Sequence, residues 1–224
     1  MIYNAFSLPF DQCVAVIIAY VSAILVALSF HEFGHAFVAY KEGDKTAKSL
    51  KRLTLKPLNH IDPIGFVCLL IFGFGWAKPV PVDSRNFKHK KLGEFLVSIA
   101  GVTVNFILAF LFTGIYCLIY KIGYNFLFDG NIIGFALRNY FSFAIIINIG
   151  LGLFNLLPIY PLDGFRIIES FTGRESNFSV VMRRYSFIIV ILLLVTGVID
   201  YVFSYLCNGA FDLLIKFWSL IFGL

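Results

Sequence analysis

The sequence predicts an all-α polytopic membrane protein of about four to six transmembrane helices, with a short membrane-associated re-entrant β element between the first and second spans. Three observations predict it. Of the 224 residues, 59% are apolar and only 14% charged, whereas a soluble domain carries about a quarter charged residues. The mean hydropathy is +0.87. The basic residues gather between long apolar stretches instead of forming a patch interleaved with exposed aromatics, so the net charge of +5 reads as a topology signal and not as a nucleic-acid footprint.

The first span runs from Cys13 through Phe30 and on past a polar insertion at His31, Glu32 and His35 to Tyr40. No Lys or Arg occurs in the first forty residues. The basic n-region of a secretory signal is thus missing, and the stretch is expected to stay in the mature protein. Eleven of the 18 Lys and Arg residues then fall between Lys41 and Lys91. By the positive-inside rule that segment is cytoplasmic and the N-terminus outside. Within it, Ile64 to Trp76 is apolar but too short to span as a helix. Glycines alternate with aromatics at Gly73, Phe74, Gly75 and Trp76, and Pro79 and Pro81 cannot donate to a ladder, so an extended edge over Ile71 to Val82 is expected.

Leu92 to Tyr120 makes the second span, and the connection to Asn139 carries only two basic residues, as an outer loop should. Tyr140 to Leu157 is the third span, ended by Pro158 and Pro161. Arg166, Arg174, Arg183 and Arg184 mark the inner side again, and a fourth span runs from Tyr185 to about Tyr205. The tail from Asn208 to Leu224 either lies in the interface or crosses as a short fifth span. One domain covers 1-224, with a core over 12-170 and C-terminal spans and tail over 171-224. Cys13, Cys68, Cys117 and Cys207 show no paired spacing and read as small buried hydrophobes.

Ionisable residues at membrane depth are costly and mark function. The sharpest case is His31-Glu32-Phe33-Gly34-His35. On a helix, residues four apart share a face, so both imidazoles can reach one Zn²⁺. Such a metal brings the pKa of a water from 15.7 to about 7, and Glu32 can take its proton and pass it to a leaving amine. That is the chemistry of metal-assisted peptide hydrolysis. Three polar groups clustered in a span would be an expensive way to make a purely structural contact.

A catalytic zinc takes three protein ligands and keeps one open position. His31 and His35 lie some eight residues before the inner end of the first span, about 12 Å along the helix, and the third ligand must reach that depth. Asp163 does so. Glu94 and Glu169 are geometric competitors that spacing does not remove, and a structural role for Asp163, capping a helix that begins near Gly164, is the alternative.

His31-Glu32-Phe33-Gly34-His35 in a first span, with Asn155-Leu-Leu-Pro-Ile-Tyr-Pro-Leu-Asp163-Gly164 after a third, resembles the site-2 protease family of intramembrane zinc metalloproteases. Leu58-Asn-His-Ile-Asp-Pro-Ile-Gly65 and Phe74-Gly-Trp-Ala-Lys-Pro-Val-Pro81 resemble the compact prokaryotic subgroup without PDZ or CBS domains. The resemblance implies one Zn²⁺ per chain held by His31, His35 and Asp163, with Glu32 as catalytic acid and base. It implies cleavage within or beside transmembrane segments of membrane-protein substrates, near the cytoplasmic face. The family's small-residue motif appears as Ala100-Gly-Val-Thr-Val-Asn105 without its usual proline. Asn105 is therefore a candidate for stabilising the oxyanion or fixing substrate, the alternative being an interhelical hydrogen bond. Gly73, Phe74, Gly75, Trp76 and Asn155 are candidate substrate contacts, and His60 and His89 read as interfacial loop residues. A metal-binding transporter or scaffold is the rival class, but it would carry ionisable groups along several spans and related halves, which the sequence lacks.

Overall fold

The computed structural model describes the backbone of residues 2–72 and 77–224, and the side chains of these except 2–4, 69–72, 194 and 198–200. Gly73 to Trp76, and with them four of the expected substrate contacts, lie outside the described residues. The described chain is helical: α1 (Phe10–Lys41), α2 (Thr46–Ser49), α3 (Pro63–Phe72), α4 (Lys90–Ile122), α5 (Tyr124–Phe128), α6 (Ile132–Asn155), α7 (Asp163–Thr172), α8 (Asn177–Val195) and α9 (Val198–Phe222), with short 3₁₀ turns between. Four stretches, Phe10–Lys41, Lys90–Ile122, Ile132–Asn155 and Tyr201–Phe222, are long and apolar enough to cross a membrane. On α4, Ile107, Leu111, Ile115 and Leu118 are exposed. Their spacing is one helical stripe, which suits a face turned to lipid.

Two expectations are corrected. The apolar run after Ile64 is not a strand: from Pro63 to Phe72 it is helix, because Asp62 accepts a hydrogen bond from the Gly65 N–H at 2.8 Å and Pro63 suits a first helical turn. Among the described residues the only pairing in this region is an isolated antiparallel bridge between Ile61 and Ala77, so the re-entrant β element is withdrawn. Pro79 and Pro81 supply no N–H to extend it. The fourth span does not run from Tyr185 to Tyr205 either. The chain turns at Gly197, whose φ is +67°, after the Thr196 hydroxyl has bonded the Leu192 carbonyl at 2.8 Å. The tail from Asn208 belongs to α9.

The chain divides into two compact units, Met1–Ala27 with Asn105–Leu151 and Val202–Leu224, and Leu28–Val104 with Gly152–Tyr201. The first is held by aromatic contacts and buried amides. Tyr20 of α1 meets Phe143 of α6 edge to face at 5.3 Å. Trp218 of α9 donates its indole N–H to the Phe110 carbonyl of α4 at 2.9 Å and lies over Gly114, where a Cβ would stand 2.7 Å from the ring. Asn105 of α4 donates to Asn148 Oδ1 of α6 at 2.9 Å, and both are fully buried. An amide in an apolar bundle is tolerated only when it is paired in this way.

In the second unit, the loop after α1 is tied down by Asp44, which is fully buried. Its carboxylate accepts from the Thr46 N–H at 3.0 Å, the Asn86 amide at 3.0 Å and the Asp83 N–H at 2.8 Å. Burial works to raise the Asp44 carboxyl, but these donors outweigh it and hold the group below the usual carboxylate range. A depressed folded-state pKa adds stability above the unfolded value of about 3.9, and that stability is lost as the pH falls through the folded value. Asp44→Ala is therefore expected to lower stability by about 3 kcal/mol at neutral pH. Asp44→Asn should flatten the acid limb of the stability profile, both read from thermal unfolding in detergent between neutral and strongly acid pH.

Candidate metal centre

The second unit brings together the three residues expected to bind metal. His31 and His35 lie one turn apart on α1, with ring centroids 4.7 Å apart and nearly perpendicular planes. Asp163 is the first residue of α7, and Leu162 takes the cap position without a side-chain bond. Asp163 is thus not the helix cap. Its Oδ2 stands 3.2 Å from His35 Nε2 and 3.4 Å from His31 Nε2, while the two Nε2 atoms are 3.1 Å apart. All three residues are buried.

The donor set fits a metal. A backbone carbonyl can only accept, so His35 Nδ1 must donate to the Val97 carbonyl at 2.7 Å. In the neutral ring this leaves Nε2 with its lone pair turned toward the other two atoms. Asp163 Oδ2 is buried and accepts no hydrogen bond of good geometry. Ligands about 2.0–2.1 Å from one tetrahedral ion stand about 3.3 Å apart, close to the separations observed. Lone-pair atoms this near one another, away from water, call for a cation between them.

Glycines permit this convergence. A Cβ on Gly101 of α4 would lie 2.4 Å from His35 Nε2 and 2.6 Å from His31 Cε1. A Cβ on Gly164 would lie 2.1 Å from the Leu156 carbonyl, so the chain can turn from α6 into α7 and present Asp163 only with glycine there. Glu32, also buried, accepts the Val80 N–H on Oε2 at 2.8 Å, and its Oε1 is not part of that bond.

The competing carboxylates are engaged elsewhere. Glu169 is bound by Arg183 through contacts of 2.6 and 2.8 Å, and Glu94 faces Arg174 at 3.7 Å. Asn105 makes the interhelical bond to Asn148 described above, and Asn155 ends α6 half-buried. His60 is fully buried within the protein, its Nε2 donating to the Thr54 carbonyl at 2.7 Å. His89 is exposed, 3.9 Å from Glu42. Sequence reasoning missed Gly101, Val80 and the carbonyl of Val97. Gly101 stood in the small-residue motif, where Asn105 drew the attention. The other two act through backbone atoms, which no side-chain pattern advertises.

A glutamate beside two imidazoles and a carboxylate, borne on helices apolar enough for a bilayer, defines a metal-dependent membrane peptidase. The profile of peptidase family M50 matches residues 19–196, and the chain belongs to that family, as a zinc metallopeptidase of the site-2 protease type. It is 42% identical to YwhC of Bacillus subtilis, provisionally named a zinc metalloprotease, over 90% of this chain and 91% of that one. It is 29% identical to Rip2 of Mycolicibacterium smegmatis, also provisionally named so, over 89% of this chain and 75% of that one. With the zinc metalloprotease MJ0392 of Methanocaldococcus jannaschii it shares 32% identity over 69% of this chain and 34% of that one. No solved structure matches the chain.

The close approach at Gly101 makes a direct prediction. Gly101→Ala must displace the His31 and His35 rings, and zinc affinity, measured by competition with a chromogenic chelator, is expected to fall at least tenfold, about 1.4 kcal/mol. Gly209, where a Cβ would meet nothing within 4 Å, serves as the control, and Gly209→Ala should leave affinity unchanged.

Proposed function

We propose that the chain is a zinc-dependent intramembrane endopeptidase that hydrolyses peptide bonds within or next to transmembrane segments of membrane-protein substrates, near the cytoplasmic face. The observation that carries this reading is the convergence of His31, His35 and Asp163 beside Glu32, on a 32-residue apolar helix. The reading has His31, His35 and Asp163 hold one Zn²⁺. When bound, zinc supplies Lewis acidity, acidifying a water and polarising the scissile carbonyl. Glu32 would take one proton from the attacking water as the water oxygen bonds to the carbonyl carbon. It then gives the proton to the leaving nitrogen as the C–N bond breaks. The hydrogen bond from His35 to Val97 keeps the imidazole in the tautomer that binds metal.

Membrane depth supports the intramembrane substrate. His31 and His35 precede the end of α1 at Lys41, and the basic residues that follow favour a cytoplasmic location for that end, with the N-terminus outside. We further assign Asn105 to the catalytic set, and Gly73, Phe74, Gly75, Trp76 and Asn155 to substrate contact.

Purified protein in proteoliposomes tests the assignment. Glu32→Gln is expected to bind about one zinc per chain and to lose at least about a thousandfold in cleavage of fluorogenic transmembrane peptides. Asp163→Ala should lose most of its zinc along with activity. Turnover retained by Glu32→Gln sinks the peptidase mechanism, and equal rates on soluble casein and on membrane-embedded peptides sink the intramembrane substrate.

A further inference from the structure

The segment from Ala77 to Asp83 crosses the glutamate of the His-Glu motif as a strap without helix, ending where a 3₁₀ turn begins at Ser84, and the strap is fixed along its length. Ala77 bridges Ile61, and the Lys78 N–H donates to the His60 carbonyl at 2.9 Å. Arg52 Nη2 donates to the Lys78 and Pro79 carbonyls at 2.9 and 3.3 Å. Farther on, the Asp83 N–H binds Asp44. The Val80 side chain is packed with Ala36 and Ala47. At the centre stands Pro79-Val80-Pro81, in which two residues have no N–H at all. The single backbone donor of this tripeptide goes to Glu32 Oε2 at 2.8 Å, buried.

We infer that the Val80 N–H is a positioning group for catalysis, holding Glu32 so that one carboxylate oxygen is occupied and the other is kept for the proton, and that Arg52 acts through it by fixing the strap. The physical reason is the geometry of glutamate. Three rotatable bonds separate its carboxylate from the helix, so α1 sets where Glu32 begins but not where its oxygens end. A charge-assisted bond from a buried, rigid donor removes that freedom. A carboxylate has about four lone-pair sites, so one such bond leaves Oε1 able to take and return a proton. The flanking prolines restrict the backbone on both sides of the donor and add no competing N–H. This inference rests on the reading of Glu32 as proton carrier.

The test replaces the Val80 amide by an ester, using the α-hydroxy analogue of valine introduced by nonsense suppression into the full-length chain. The side chain stays, the N–H is lost, and the Pro79 carbonyl becomes a weaker acceptor for Arg52, whose bond to Lys78 is kept. The expected result is a kcat about tenfold to hundredfold lower, the effect of removing one hydrogen bond to a charged group, with KM and zinc affinity within about twofold of the wild type. In the metal-free protein, the Glu32 carboxylate stretch, assigned from the infrared difference against Glu32→Gln, should shift as its donor is lost. Arg52→Ala should lower kcat in the same sense and add little in the ester background, since both act on one contact. An unchanged kcat and infrared band overturn the inference, as does a change confined to KM, which would make the N–H a substrate contact. A raised kcat overturns it too, since the strap would then be a latch. Cleavage retained by Glu32→Gln is a separate failure, that of the peptidase mechanism itself.

Discussion

The structure is organised around an electrostatic demand: two imidazole nitrogens and a carboxylate oxygen meet within 3.1–3.4 Å, buried and away from water. Such a cluster is unfavourable in a low dielectric unless a cation sits among its lone pairs. Much of the second unit serves that meeting. α1 supplies two imidazoles from one face, the turn after α6 supplies the carboxylate, and α4 contributes a carbonyl that orients His35 and a glycine with room for both rings. Zinc binding and the packing of this unit are therefore one equilibrium, and removing any of these contacts weakens both.

The polar groups in the apolar helices follow one rule with two outcomes. Asn105 and Asn148 pair with one another and with backbone, which ties α4 to α6. The His-Glu-Asp cluster is left short of donors at Asp163 Oδ2. The contrast separates a polar pair bonded across two helices from a polar site whose lone-pair atoms face one another. Glu32 lies between these cases, with one oxygen held by the strap. On the proposed mechanism a proton carrier must be fixed in place without having its basicity spent, and one backbone donor would do this without bringing a further charged group.

The sequence had already set the apolar spans, the i, i+4 pairing of His31 and His35, and the identity of the glutamate between them, because helical periodicity and the cost of burying charge act over a few residues and need no knowledge of the rest of the chain. It misjudged the re-entrant β element expected over Ile71 to Val82: a helix begun by Asp62 and Pro63 runs to Phe72, and among the described residues of that stretch only Ala77 makes a bridge. It also placed the break between the last helices too late, since Gly197 ends α8.

Tertiary structure decided what lies far apart in the chain. Depth pointed to Asp163 as the third ligand, but spacing could not remove Glu94 and Glu169 as competitors. Packing settled which of them meets the histidines, by giving the two glutamates arginine partners on other turns. The bond from Val97 to His35 spans 62 positions and that from Val80 to Glu32 spans 48. Both use backbone atoms that every residue type possesses, so no side-chain pattern could mark them. Local periodicity is written in the covalent chain, but which backbone atom stops beside which side chain is fixed only when the helices pack and the loops between them close.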